Sequence, residues 1–181
     1  MAQIGEKYPY QINNYGGNQI EDIGLIEVSN GWKVAHIIHL NPLILSGLSH
    51  GIYSQSEVST CYSRDQHVAP FIGCACGFYS FYEKSRASDL LTYARGLVLV
   101  KVENYGKIIF HTYGQRSQEQ DIISLSLPNK CSKIFCSNNT TNLSQFKNKY
   151  KQRCDKHASN TSLNLSALRA NTGVDIDILA L

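Results

Sequence analysis

Two groups of thiols and imidazoles carry the clearest chemistry in this sequence. Upstream, the order is Cys61-x5-His67-x6-Cys74-x-Cys76. Downstream, it is Cys131-x4-Cys136-x17-Cys154-x2-His157. Zinc takes four soft or borderline donors in a tetrahedron, and each group offers three sulfurs and one ring nitrogen. In the downstream group, two cysteines on a tight loop and two ligands three residues apart on a helix end supply that geometry, since i and i+3 are neighbours on a helix. The upstream group lies in a polar segment that cannot pack a core unaided. A metal ion there would contribute folding free energy directly. Zinc is therefore the expected cofactor.

The residue types leave other readings open. Free cysteines can act as small buried hydrophobes. A reactive thiol is a further reading: His67 could lower the pKa of Cys61, Cys74 or Cys76, and Gly73 or Gly77 would let backbone N–H groups approach an oxyanion. No third orienting group is assignable from the sequence, so no catalytic residue is named.

Cations form the second signal. Lys147, Lys149, Lys151, Arg153 and Lys156 alternate with Phe146 and Tyr150, a composition that can meet phosphates and stack on bases, or simply form a solvated face. His111 and Arg116 form a smaller set. A Gly114 turn would place the planar guanidinium beside the imidazole, where it suits phosphate or carboxylate. The competing expectation is a surface pair of Arg116 with Glu119 or Asp121. There is no Gly-rich phosphate loop and no H-E-x-x-H.

The elements that must position these groups follow from pattern. With 181 residues, 43% hydrophobic and 17% charged, the chain can bury a core, and a net charge of +3 neither demands nor forbids nucleic acid. No apolar run approaches the roughly 18–20 residues of a membrane span. With no signal-like start, the expectation is a cytoplasmic protein with thiols kept reduced. Residues 1–30, with Asn13-Asn14-Tyr15-Gly16-Gly17-Asn18, read as an irregular lead-in. The β-branched stretch 32–40 reads as a strand ended by Asn41-Pro42, continuing through turns at Gly47 and Gly51. Residues 54–77 read as a structured loop, 84–94 as a helix stopped near Gly96, and 97–102 and 107–112 as strands joined by a hairpin turn over 103–106. A third strand spans 121–127. Leu143, Phe146, Tyr150 and Cys154 sit near helical spacing, and 163–170 reads as a second helix. The expected fold is α+β: a twisted antiparallel sheet or small partly open barrel with one or two short helices over 31–128, then a Cys/His-containing helical appendage over 129–181.

Part of this pattern resembles a known combination. Cys61, His67-Val68-Ala69-Pro70, Cys74-x-Cys76-Gly77-Phe78-Tyr79-Ser80, and then Tyr105-Gly106-Lys107-Ile108-Ile109-Phe110-His111-Thr112-Tyr113-Gly114-Gln115-Arg116 resemble two motifs, in the same order, of a small uncharacterised bacterial protein family frequent among actinobacteria. The resemblance covers about 31–128. It implies a fold unit and a candidate site without a reaction, and it draws His111, Gly114 and Arg116 towards the first cysteine group.

These readings converge on a non-enzymatic recognition module, zinc-stabilised, that binds nucleic acid or a protein partner. The alternative is a cysteine-dependent enzyme using a Cys/His pair on an anionic substrate.

Overall fold

A computed structural model describes residues 20–48, 51–62, 67–92 and 94–180. β1 (Ile20–Leu40) is a 21-residue strand, far longer than the apolar stretch that signals it. Residues 20–30 therefore belong to the sheet rather than to an irregular lead-in, while the Asn/Gly segment 13–18 lies outside the described residues. Asn41-Pro42 ends β1, as expected where a residue without an N–H cannot continue a ladder. The chain turns back into β2 (Leu43–Gly47) and on to β3 (Ile52–Ser54).

β4 (Ser56–Val58) precedes the first cysteine group, and β5 (Phe78–Phe81) follows it. The next helix, α1 (Lys84–Asp89), is shorter than its sequence pattern and tightens into a 3-10 turn at Leu90–Thr92. Tyr93 lies outside the described residues. Gly96, at φ 86°, then turns the chain into the sheet.

β6 (Val98–His111) and β7 (Gly114–Pro128) are the other long strands. The expected turn over 103–106 does not form, and β6 runs straight through it. Gly106, at φ 71°, instead makes a bulge, marked by the register shift between Tyr105 and Ile108. The reversal comes later, at Thr112-Tyr113, with His111 paired to Gly114. Gly114 lacks the left-handed backbone expected of it. It is glycine because a Cβ there would collide with the Ser80 carbonyl of β5.

After Pro128 the expected helix over 143–154 is a hairpin, β8 (Asn142–Phe146) with β9 (Lys149–Arg153). Lys147, at φ 55°, makes its two-residue turn. The helical spacing of Leu143, Phe146, Tyr150 and Cys154 competes with a period-two alternation of Lys149, Lys151 and Arg153 against Tyr150 and Gln152, and pairing across the sheet selects the latter. A 3-10 turn (Asp155–His157), β10 (Leu163–Asn164), α2 (Leu165–Thr172) and β11 (Asp175–Leu179) complete the chain. α2 fulfils the second helical expectation: Asn164 caps its start by accepting from the Ala167 N–H, and Gly173 at φ 68° ends it.

The result is mostly antiparallel sheet with two short helices, an α+β fold. β6 lies between β1 and β7, and β5 touches both, through Trp32–Phe81 on one side and Phe78–Phe81 against Gly114–Ser117 on the other. The pairings fold back on themselves without making a regular barrel. The segment after Pro128 is no helical appendage. β11 adds to β7 in parallel, β9 meets β1 at Ile37–Tyr150, and Leu143, Leu168, Val174 and Ile176 share one apolar cluster with Ala35, Ile37, Val100 and Leu125. Each fully buried aliphatic side chain there contributes about 1.5–3 kcal/mol. A second cluster joins α1 to the sheet through Val34, Phe81, Ala87, Leu90 and Leu99. No helix among the described residues is long and apolar enough to cross a membrane.

Candidate metal centres

Both cysteine groups converge. In each, the four candidate ligand atoms lie within 4.8 Å of one another.

The first forms where the chain crosses between β4 and β5. Cys61 follows β4, and His67 precedes the buried Ala69-Pro70 pair. A tight turn then closes with the Cys74 N–H on the Phe71 carbonyl at 3.2 Å. Gly77 completes the approach to β5: at φ 105° a Cβ would also stand 2.9 Å from Pro70 and 3.2 Å from the Ser117 carbonyl, so only glycine passes there. The Cys61 and Cys74 sulfurs are 3.6 Å apart, and His67 Nε2 is 3.3 Å from the Cys76 sulfur. Phe71 stacks on the His67 ring at 4.4 Å and orients it.

β7 supplies the support from beneath. Arg116 is buried, and its Nη1 donates to the carbonyls of Cys74, Cys76 (3.1 Å) and Phe71 (3.5 Å), while Nε donates to His111 Nε2 at 3.1 Å. His111 is thereby the acceptor at Nε2. Arg116 thus stands beside His111 as expected, but it is buried against the cysteine loop and forms no ion pair with Glu119 or Asp121. The guanidinium gathers the carbonyls of the cysteine loop. The sequence signal for this role was the order of motifs alone.

The second centre is built on β9 and a knuckle over 129–140. The knuckle is closed by the Lys130–Asn139 bridge and by Thr140 N–H on the Asn129 carbonyl at 2.7 Å. Inside it, Cys136 N–H donates to the Lys133 carbonyl at 3.2 Å. Phe135 takes a left-handed φ of 61° at the tip, fully exposed. Cys154 directly follows β9, and the 3-10 turn returns His157 to it with Nδ1 at 3.3 Å from the Cys154 sulfur and 3.7 Å from that of Cys131. The i, i+3 relationship expected of a helix is met by this single turn. Cys136 and Cys154 sulfurs are 3.8 Å apart.

These separations fit one geometry. A tetrahedron with metal–sulfur bonds of about 2.3 Å has edges of about 3.8 Å, whereas a disulfide brings sulfurs to about 2.05 Å. Each group could therefore hold a metal ion. The thiols also respond to one another. Burial, opposed by the Phe71 N–H and reinforced by Cys74 and Cys61, pushes the Cys76 thiol up to about 11. For Cys131, burial raises the pKa but is outweighed by N–H groups of Lys133 and Cys154 and by His157, so the thiol falls to about 6. A divalent cation would neutralise this crowding by replacing the shared protons.

The cations divide. Arg153 is buried, donating from Nη1 to Ser132 Oγ at 2.8 Å, and so braces the knuckle. Lys147, Lys149 and Lys151 stay on the β8–β9 hairpin, with Lys147 exposed and the other two half-buried. Lys147 and Lys151 ammoniums lie 5.9 and 4.8 Å from the centre of the exposed Phe146 ring. Burial and then the charges of Arg153, Lys149 and Lys147 lower the Lys151 pKa. Arg95, a cation that its sequence context does not single out, donates to the Lys133 carbonyl of the knuckle at 2.8 Å.

A buried polar hub was also missed. Asn104, placed in a turn by its sequence context, sits inside the sheet. Its Nδ2 donates to Ser29 O (3.0 Å) and Ser80 Oγ (3.2 Å), and its Oδ1 accepts from Ser117 Oγ and Gln120 Nε2, both at 2.8 Å.

No family model, curated protein or solved structure matches this chain.

Proposed function

We propose that the protein is a zinc-stabilised, non-enzymatic recognition module whose β8–β9 hairpin binds single-stranded nucleic acid. Three thiolates and one imidazole per group suit zinc. Four protein donors fill a tetrahedral shell, the pattern of a structural site, whereas a catalytic zinc keeps a position open.

The observation that carries nucleic-acid recognition is the exposed Phe146 ring flanked by the ammoniums of Lys147 and Lys151, with Lys149 on the same strand. None of these cations is neutralised, since the ion pairs among the described residues are Arg86–Glu83 and Arg169–Asp177. Unpaired cations around an aromatic face suit a flexible phosphate backbone with unstacked bases. The knuckle of the second centre lies beside this hairpin, because Ser132 N–H bonds to the Gln152 carbonyl of β9 at 2.9 Å. The metal centre would thus hold part of the binding surface rigid.

Elemental analysis of the purified protein tests the metal half, and two zinc ions per chain are expected. Fluorescence anisotropy with a labelled oligothymidine tests the other half. Binding is expected at low salt and should weaken steeply as salt rises, since each neutralised phosphate contributes a slope of about −0.7 in log K against log salt for single strands. Absence of binding at low salt, or binding indifferent to salt, rejects the nucleic-acid reading.

A further inference from the structure

Beside the first centre, the β2–β3 hairpin, β4 and the start of β5 enclose a cleft of about 240 Å³. Lys33 of β1 lines it, together with Tyr53, Glu57, Tyr62, Cys76 and Tyr79. A lysine is unexpected there, next to the buried Val34 and Ala35.

Its amine is held in a fixed position. Lys33 Nζ donates to Gln120 Oε1 at 2.9 Å and lies 4.1 Å from the centre of the Tyr53 ring and 5.7 Å from that of Phe78. The Gln120 amide cannot rotate away, because its Nε2 donates to Asn104 Oδ1 at 2.8 Å. Among the described residues no carboxylate pairs with Lys33, and the one carboxylate in the cleft wall, Glu57, is engaged by the Ser54 N–H at 2.6 Å. A lysine amine that is desolvated and has no carboxylate paired with it among the described residues is in the environment that makes an amine nucleophilic. Burial accordingly lowers its pKa to about 7.

We propose that this cleft is a site for a small aldehyde or ketone, which Lys33 holds as a reversible imine. The Nζ lone pair attacks the carbonyl carbon to give a carbinolamine. The carbonyl oxygen then leaves as water, taking both protons from the nitrogen, and a C=N double bond remains. No oxidant or reductant is consumed, and hydrolysis reverses the step. The cleft volume limits the ligand to a small molecule.

Reductive trapping tests this. The full-length protein as isolated is treated at pH 7 with propionaldehyde and cyanoborohydride, which reduces any imine to a stable secondary amine, and the sites are located by peptide mass mapping. Lys33 is expected to be alkylated at least about tenfold faster than the exposed Lys84 and Lys156, because more of it is unprotonated. The Lys33 rate should reach half its maximum near pH 7, with Glu57, Cys76 and the three tyrosines as the other titratable groups facing the cleft. Lys33→Met should abolish the fast phase and leave the slow surface labelling. Equal rates at Lys33 and Lys84 overturn the proposal, as does a fast phase that survives in Lys33→Met. Should that variant fail to fold, the rate ratio in the unmodified sequence decides alone.

Discussion

Arg116 Nε donates to His111 Nε2 at 3.1 Å, and this bond ties the hairpin between β6 and β7 to the guanidinium that holds the first cysteine loop. The imidazole fixes the guanidinium plane, and Nη1 then reaches the carbonyls of Cys74 and Cys76. Groups that orient ligands from behind commonly contribute 10–100-fold in metal affinity. Arg116→Ala is therefore expected to weaken zinc at the first centre by about that factor and leave the second unchanged. Chelator competition on this variant should show one fast-released ion and one slow ion per chain. Equal release from both centres would refute the role given to Arg116.

The buried hub gives a separate stability prediction. Asn104 satisfies Ser29, Ser80, Ser117 and Gln120 at once, within a sheet that excludes water from it. Asn104→Ala strands several buried polar groups, each costing about 1–3 kcal/mol. A loss of about 3 kcal/mol or more is expected in urea unfolding, with metal stoichiometry retained. A loss under about 0.5 kcal/mol, typical of a surface site, would show that the hub is dispensable.

What the sequence made legible, and what it hid, follows from the range of the interactions involved. Cys61, His67, Cys74 and Cys76 could be grouped because thiols and imidazoles are scarce and few roles suit them. The same holds for Cys131, Cys136, Cys154 and His157. Strand character over 32–40 and 97–102 was plain from β-branched runs. Asn104 and Gly106 were misplaced because Asn and Gly mark turns locally, and nothing local reveals that Ser80 and Gln120 arrive from other strands to satisfy the amide. The β8–β9 hairpin was hidden for a related reason: Leu143, Phe146 and Tyr150 fit helical spacing, and the deciding contact, Tyr150 against Ile37 of β1, is distant in sequence. Arg116 and Arg153 carry charges that read as surface features, yet both are buried on polar partners supplied by the metal loops.

Lys33 should make stability depend on pH in a definite direction. Its pKa is about 7 in the folded protein and 10.5 when unfolded. Below pH 7 both states carry the proton, and the folded state bears the full cost of a buried cation. Between about pH 7 and 10.5 the unfolded chain binds more protons, so this group's contribution to stability rises with pH across that window. Lys33→Met removes the charge and keeps an apolar stem. Its stability advantage over the unmodified protein is expected to be largest near pH 6 and to shrink as pH rises to 9. Parallel pH profiles for the two proteins would show that Lys33 titrates normally.

The hairpin cations and the ring beside them should separate in their effects on nucleic-acid binding. A lysine that meets a phosphate acts through counterion release, whichever base is present. Replacing Lys147, Lys149 and Lys151 together with glutamine should reduce the salt slope by up to about 2, at roughly 0.7 for each phosphate of a single strand that is no longer neutralised. Phe146→Ala removes a stacking platform while leaving the charges in place. It is expected to weaken binding by about 1–3 kcal/mol with the slope unchanged. Arg153→Gln serves as the contrast, because its guanidinium is buried on Ser132 and meets no phosphate. That variant should lower stability and leave the salt slope intact. Anisotropy titrations at several salt concentrations distinguish these cases. If Phe146→Ala and the triple lysine variant both leave affinity untouched, the hairpin is not the binding surface.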